Sequence, residues 1–336
     1  MMEEPLSCAV VGYGGIAEFH AEALKQIEGV ELRTLMGRRA EPAKDFADRH
    51  GFGKTTTSLE EALADDGLDA VVLTSPSALH VEQALACLDA GKHVLVEIPL
   101  AVSLAGAQRV AERARQVGRQ VMVAHTRRFD ETGRFIKQFI EAGETGQVYQ
   151  HQSYSFWFRH ENVGWTGYQR SWVDDVLFHH GCHLVDFSLW TIGSPVRRVR
   201  GEIGPKQSLN DTSMDVSLLI RYENETMATI SLSYNAPQGA TGNRYLCEKG
   251  VLEIEGKRVR FAGDTVFETS KDPESGVLLQ DREFISAIRE GRTPSCDAED
   301  GVRALAPLQA AYDQMLELEG GDKYQRRWDE GAPHQA

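Results

Sequence analysis

A chain of 336 residues, 41% apolar and 26% charged, is large enough for two globular domains at roughly 150 residues each, with no need of cross-links. Its formal net charge of −14 argues against a nucleic-acid partner held by bulk electrostatics and against an anionic membrane surface, and no run approaches the ~20 apolar residues of a membrane span. Acids stand where a signal peptide needs basic residues, and Cys8, Cys87, Cys182, Cys247 and Cys296 form no C-x-x-C pair, so a reduced, cytoplasmic setting is expected.

The first part alternates apolar runs with helical spacing. Strands are predicted at Leu6–Val11, Val30–Met36, Asp69–Thr74, His93–Glu97 and Gln120–Ala124, with helices at Ile16–Ile27, Glu41–His50, Ser77–Ala90 and Ser103–Val117. That order specifies a parallel sheet with crossover helices. Beyond His125 the pattern changes. A helix at Glu131–Ala142 leads to a long strand at Val148–Phe158, then to a Trp-, Arg- and His-rich stretch and a helix around Asp175–Trp190. Period-two alternation follows at Met214–Tyr222, Met227–Tyr234, Arg244–Cys247, Val251–Ile254 and Arg258–Phe261, which predicts an antiparallel sheet. Helices near Leu278–Glu290 and Ala298–Glu317 close the chain. The expected organisation is α/β: a nucleotide-binding domain over residues 1–124, and over 125–336 a substrate-binding and oligomerisation α+β domain, the two sharing a cleft.

Gly12-Tyr13-Gly14-Gly15-Ile16-Ala17 fits G-x-G-x-x-[GA] between a strand and a helix. Gly12 permits the tight turn, Gly14 lets the backbone approach a pyrophosphate, and Ala17 keeps the helix close to the sheet. The free N–H groups at the helix start suit phosphate, so a dinucleotide-binding Rossmann domain is expected rather than a glycine turn of another α/β fold. After the second strand an NAD enzyme usually carries Asp or Glu for the ribose 2′-OH. This chain reads Met36-Gly37-Arg38-Arg39 there, which leaves room and positive charge for a 2′-phosphate and favours NADP over NAD.

Further along stand Thr74-Ser75-Pro76, His80, and Ala90-Gly91-Lys92-His93-Val94-Leu95-Val96-Glu97-Ile98-Pro99. With the glycine motif these make the chain similar to the Gfo/Idh/MocA oxidoreductases over nearly its whole length. The resemblance implies a Rossmann domain followed by a mostly antiparallel open sheet whose face commonly serves in oligomer contacts, so a homodimer or homotetramer. It also implies no catalytic metal, and a cofactor site that includes Ser75, Pro76, His80, Glu97, Ile98 and Pro99. Two departures stand out. The family usually reads Glu-Lys-Pro where this chain has Glu97-Ile98-Pro99, so the family's catalytic lysine is absent. The family's Asp, followed four positions on by His, is here His179 and His183. These departures, with Leu100-Ala101, His125-Thr126-Arg127-Arg128-Phe129, Arg170-Ser171-Trp172 and Leu279-Gln280-Asp281-Arg282-Glu283-Phe284-Ile285, resemble a branch of the family that oxidises a carboxylated cyclic hemiacetal with NADP.

Residue chemistry agrees with that branch. An imidazole, with an unperturbed pKa of about 6.5, is a better base near neutrality than a lysine at about 10.4. His183 occupies the family's histidine position and is expected to be the base, with His179 and His180 as partners; on an α-helix His179 and His183 share a face at i, i+4, with Asp186 a turn further on to fix a tautomer. The bland alternative is a cluster of hydrogen-bonded core histidines. A zinc site is the lesser rival, because the segment lacks the Glu of H-E-x-x-H. A carboxylated substrate needs cations, for which Arg127 and Arg170 are the candidates, while Arg128 suits a structural role. Trp172, with Tyr154, Trp157 and Phe158, could wall a flat ring, although an aromatic strand more often packs a sheet. The alternative functions are an NADP-dependent sugar, inositol or polyol dehydrogenase, and a non-catalytic NADP-binding regulator.

Overall fold

Short, fully buried strands and glycine-closed helices build the first part of the chain in the computed structural model, which describes residues 5–164, 167, 169, 172 and 175–319. In chain order these are β1 (Leu6–Val11), α1 (Gly15–Lys25), β2 (Val30–Met36), α2 (Ala40–His50), β3 (Lys54–Thr56), α3 (Leu59–Leu63), β4 (Ala70–Leu73), α4 (His80–Asp89), β5 (His93–Val96), α5 (Leu104–Val117) and β6 (Val121–Val123). β1, β4 and β6 are buried at every residue, as strands covered on both faces require. α5 starts on Ser103, whose hydroxyl accepts from the Gly106 amide, and stops on Gly118 at φ 63°. The strands pair in parallel in the order β3-β2-β1-β4-β5-β6, which is the dinucleotide-binding order. β3 and α3 were not expected from the sequence: three exposed or half-buried residues and a single turn carry too little periodicity to stand out.

The remaining elements are α6 (Glu131–Glu141), β7 (Val148–Phe158), α7 (Gly181–Ile192), β8 (Val196–Ile203), β9 (Asp215–Tyr222), β10 (Met227–Ser233), β11 (Asn235–Cys247), β12 (Gly250–Glu255), β13 (Arg258–Phe261), β14 (Asp264–Glu268), α8 (Gly276–Glu290) and α9 (Ala298–Glu319). An eight-stranded sheet runs β14-β13-β12-β11-β7-β10-β9-β8. All its pairings are antiparallel except β7 with β10, which is parallel, so the sheet is mostly antiparallel, as expected. One face of this sheet is core, through Val216, Leu218, Ile220, Ala228, Ile230, Leu232, Tyr245 and Leu252. Among the described residues no helix is long and apolar enough to cross a membrane.

The chain groups into two units that do not follow a single cut. The first holds the chain up to Thr126 together with Val163–Arg170 and Glu274–Val302; the second holds Arg127–Asn162, Ser171–Pro273 and the chain from Arg303. α8, which sequence order assigns to the second domain, therefore packs in the first. The reason is local chemistry: Asp281 on α8 is bound to His20 on α1, both fully buried.

Candidate active site

In the first unit the carboxyl ends of β1, β2 and β4 meet at Gly12. Its amide donates to the Met36 carbonyl at 2.8 Å, and Thr74 donates to the Val11 carbonyl through both its amide and its hydroxyl at 2.9 Å. Gly12 has φ +117°, and a Cβ there would lie 2.6 Å from Thr74 Oγ1 and 2.9 Å from the Thr74 carbonyl oxygen. Only glycine suits the position. A Cβ on Gly14 would meet nothing within 4 Å, and as the N-cap of α1 Gly14 supplies no side chain to the helix amides. Beyond Gly12, whose own N–H is taken by Met36, the first turn of α1 from Gly15 and Ile16 carries N–H groups with no carbonyl a turn earlier to meet, beside the switch in strand order, which fits a pyrophosphate. Ala17, buried at 0% exposure, keeps α1 on the sheet as expected.

Gly37 follows β2 with no acid beside it. A Cβ at Gly37 would sit 2.5 Å from the Tyr13 ring, so Tyr13 occupies the space that a side chain would take. Arg39 Nε lies 3.4 Å from the Tyr13 hydroxyl, and Arg38 and Arg39 are both exposed. Tyr13 is a site residue that the motif alone hides, because its position is a variable one.

On the other side of the switch point, Ser75 and Pro76 lead into a 3-10 turn, Ser77–Leu79. The buried His80 ties two loops together, its Nδ1 2.8 Å from the Pro99 carbonyl oxygen and its Nε2 2.9 Å from that of Ser75. The Ile98–Pro99 peptide is cis. Glu97 accepts from the Ile98 amide at 3.2 Å through Oε2, and its Oε1 lies 2.9 Å from His20 Nε2. His20 escaped the sequence reading, and Asp281 was noted only as part of the stretch 279–285; their contact joins residues 261 apart.

In the second unit a π-helical turn, Val176–His180, precedes α7. Asp175 caps it, its Oδ1 accepting from the Phe178 amide at 2.7 Å. The expected single α-helix with His179 and His183 at i, i+4 is thus corrected: the wider π turn ends between them and alters their angular relation. All three histidines are half-buried, and the Nδ1 atoms of His179 and His183 are buried. His179 and His180 meet edge to face, ring centroids 4.8 Å apart. His180 Nδ1 is hydrogen-bonded to the hydroxyl of Tyr234, which also takes a 3.2 Å bond from Arg159 Nη1. Tyr234 is buried and Arg159 stacks over its ring at 5.3 Å. Neither was foreseen: strand alternation marks Tyr234 as core, and Arg159 lies outside any motif.

Trp172 and Trp157 join this group, with Trp172 6.4 Å from the Tyr234 ring and Trp157 6.4 Å from that of His180. Tyr154 and Phe158 do not. On a strand of period two they share the face opposite Trp157, exposed at 41% and 59%. Arg170 lies outside the described residues. Arg127 is half-buried and forms no ion pair with a described residue; burial pulls its guanidinium below the usual arginine range, against the opposing effect of the Asp130 charge. Arg128 donates to Asp186 at 2.9 Å in a pair of which both members are buried. Asp186 is therefore held by a buried cation. Among the described residues no group of three or more His, Cys, Asp or Glu is arranged to hold a metal ion.

Comparison with known proteins fits both units. Residues 6–125 match the Gfo/Idh/MocA model, described as an oxidoreductase family with an NAD-binding Rossmann fold, and residues 131–258 match the C-terminal domain of bacterial oxidoreductases. The 4-carboxy-2-hydroxymuconate-6-semialdehyde dehydrogenase of Sphingobium sp. is 39% identical over 91% of this chain and 99% of its own. The NADP(+) scyllo-inositol 2-dehydrogenase of Bacillus subtilis is 25% identical over 94% and 95%. Levoglucosan dehydrogenase, solved with NADH and L-sorbose, superposes with a TM-score of 0.83 at 18% identity over 94% of this chain and 98% of that one, a likeness of fold. A Rossmann unit with an open glycine loop, joined to an α+β unit, makes this protein an NAD(P)-dependent oxidoreductase. It belongs to the Gfo/Idh/MocA family.

Proposed function

We propose that the enzyme uses NADP to oxidise the cyclic hemiacetal of 4-carboxy-2-hydroxymuconate-6-semialdehyde to 2-pyrone-4,6-dicarboxylate. The observation that carries this reading is the 39% identity, across nearly the whole of both chains, to a dehydrogenase named for that substrate. The histidine-rich turn supports it. With Ile98 where the family has lysine, His183 is the candidate to take the hydroxyl proton as the C–O bond gains double-bond character, leaving a lactone. His179 and His180 line the same turn, and the Tyr234 hydroxyl holds the His180 ring. The Gly12–Ala17 loop would hold the pyrophosphate of a dinucleotide whose nicotinamide would supply the hydride acceptor.

Substrate carboxylates need cations, and Arg127 is suited to one of them: a desolvated guanidinium without an ion-pair partner among the described residues is stabilised by an incoming anion. NADP is favoured by the exposed Arg38 and Arg39 and by the lack of an acid after β2, whereas the room beside Gly37 is taken by the Tyr13 ring, not left for a 2′-phosphate. The uncovered sheet face with Tyr154, Phe158, Leu219 and Val251 supports a homodimer or homotetramer, and a cytoplasmic location fits the scattered free cysteines. A polyol or inositol dehydrogenase is the second reading, favoured by the full-length likeness to the scyllo-inositol enzyme.

The test is a substrate panel. Purified protein with NADP should form the pyrone dicarboxylate from the semialdehyde and turn over inositols and sugars at least about 100-fold less efficiently, a discrimination of about 2.7 kcal/mol. Preferential turnover of a polyol sinks the first reading. No turnover of anything, with cofactor bound, points to the regulator.

A further inference from the structure

His20 serves no part of the glycine motif that precedes it and lies outside the histidine turn of the second unit. It is fully buried on α1, its Nδ1 at 3.0 and 2.8 Å from the two carboxylate oxygens of Asp281 and its Nε2 2.9 Å from Glu97 Oε1. Ionised carboxylates only accept, so with both acids ionised both ring nitrogens carry a proton and the ring is an imidazolium between them, the charge offsetting the burial that pushes the Asp281 carboxyl up. Asp281, fully buried on α8, is stabilised by this cation and by Gln280, whose amide lies 3.4 Å from Oδ1. Glu97 is gripped at both oxygens, by His20 on one side and by the Ile98 amide on the other. The turn that follows is tied at its far end, where His80 binds the Pro99 carbonyl.

We infer that His20 is a positioning residue for the cofactor: shared between Asp281 and Glu97, it locks the Glu97-Ile98-Pro99 turn at the carboxyl end of β5, where a sheet of this strand order binds its ligand. The inference rests on the nicotinamide-binding reading of this unit and is independent of the substrate oxidised. It also gives α8 a role, since Asp281 carries the anchor to the cofactor motif from the far end of the chain.

The electrostatics run the same way. Burial by itself would lower the His20 pKa; Asp281 and then Glu97 overcome it and raise it to about 10. The other ionisable group beside this cluster is Cys8 on β1, its thiol pushed well up by burial and by Asp281, with Asp69 and Arg289 acting on it more weakly. His20 thus keeps its charge through the neutral range; the turn it holds loosens as pH rises toward about 10, and also on the acid side, where Asp281, its carboxyl pushed up by burial, takes up a proton.

Two measurements on the full chain test this. In 15N-histidine NMR, one imidazole should keep both N–H groups and titrate near 10, and its resonances should vanish in His20→Gln. A His20 that titrates at about 6.5, as an unperturbed imidazole does, overturns the assignment. The second readout is cofactor affinity by fluorescence, with NADPH or NADH, whichever wild type prefers. Glu97→Gln, which still accepts from Ile98, should keep its fold and bind about tenfold more weakly. In Asp281→Asn the pH at which affinity falls should move down by at least about one unit, since the main raising partner is gone. Folded variants that bind as wild type does at every pH overturn the role of His20 alone. Wild type that binds neither cofactor overturns the reading of the whole unit.

Discussion

Replacing Arg127 by methionine separates substrate binding from stability, because the two should move independently. The guanidinium is half-buried, is desolvated enough to fall below the usual arginine range, and makes no ion pair with a described residue. Methionine keeps the length and apolar stem and removes the charge. A hydrogen bond to a charged partner contributes about 1.5–3 kcal/mol, so losing the contact to a substrate carboxylate should raise KM about 10- to 150-fold. Stability should hold or rise by up to about 1 kcal/mol, since the fold loses a desolvated cation and no ion pair with a described residue, only its attraction to Asp130. Steady-state kinetics at saturating NADP, read with urea unfolding of the same preparation, measure both. A KM within about twofold of wild type shows that no carboxylate meets this residue. A stability loss above about 2 kcal/mol makes the arginine structural, and the reasoning fails.

The Arg128–Asp186 pair should behave in the opposite way: Asp186→Ala strands a buried guanidinium and should cost about 3–5 kcal/mol in urea unfolding, whereas a paired apolar replacement of both residues should recover most of it. Gly12→Ala forces a Cβ against Thr74 at φ +117° and should weaken cofactor binding at least tenfold in a fluorescence titration, with about 1–3 kcal/mol of strain. Removing Arg39 should lower kcat/KM for NADP by about tenfold or more and leave that for NAD within about twofold; an equal fall for both would show that no 2′-phosphate is read there. His151 is fully buried between Ser188 and Asn243, and burial lowers its pKa to about 4. Its depressed folded value means that the unfolded chain binds the extra proton, so stability is full above about 6.5 and falls as pH drops toward about 4, by about 3 kcal/mol at most. Urea unfolding of wild type and His151→Asn across that range checks the slope, which should flatten in the variant.

Much of the architecture was legible in the residues. Leu6–Val11, Val30–Met36, Val148–Phe158 and Arg258–Phe261 are strands to the residue, because apolar runs or alternation end there on glycine or polar turns. β11 was seen only at its end, Arg244–Cys247, since Pro237 and Gly239 interrupt the alternation where a register shift separates Asn235 from Ala240. The cofactor motifs were readable because each is contiguous: a glycine loop must follow its strand, and Ile98 stands visibly where the family has lysine. The histidine-rich segment was found as a composition, but its π turn was not, because a hydrogen-bond pattern one residue wider leaves no periodic mark in five residues.

Local order along the chain thus decided which segments are strands, where the glycine loop lies and which family's chemistry to expect. Packing alone decided the rest: that α8 joins the nucleotide-binding unit, that Asp186 answers Arg128, that Tyr234 holds His180, and that Asp281 reaches His20 across 261 residues. The physical reason is one of range. Backbone propensity and hydrophobic period act over a few residues, whereas a buried charge takes whichever partner the completed fold brings within hydrogen-bonding distance.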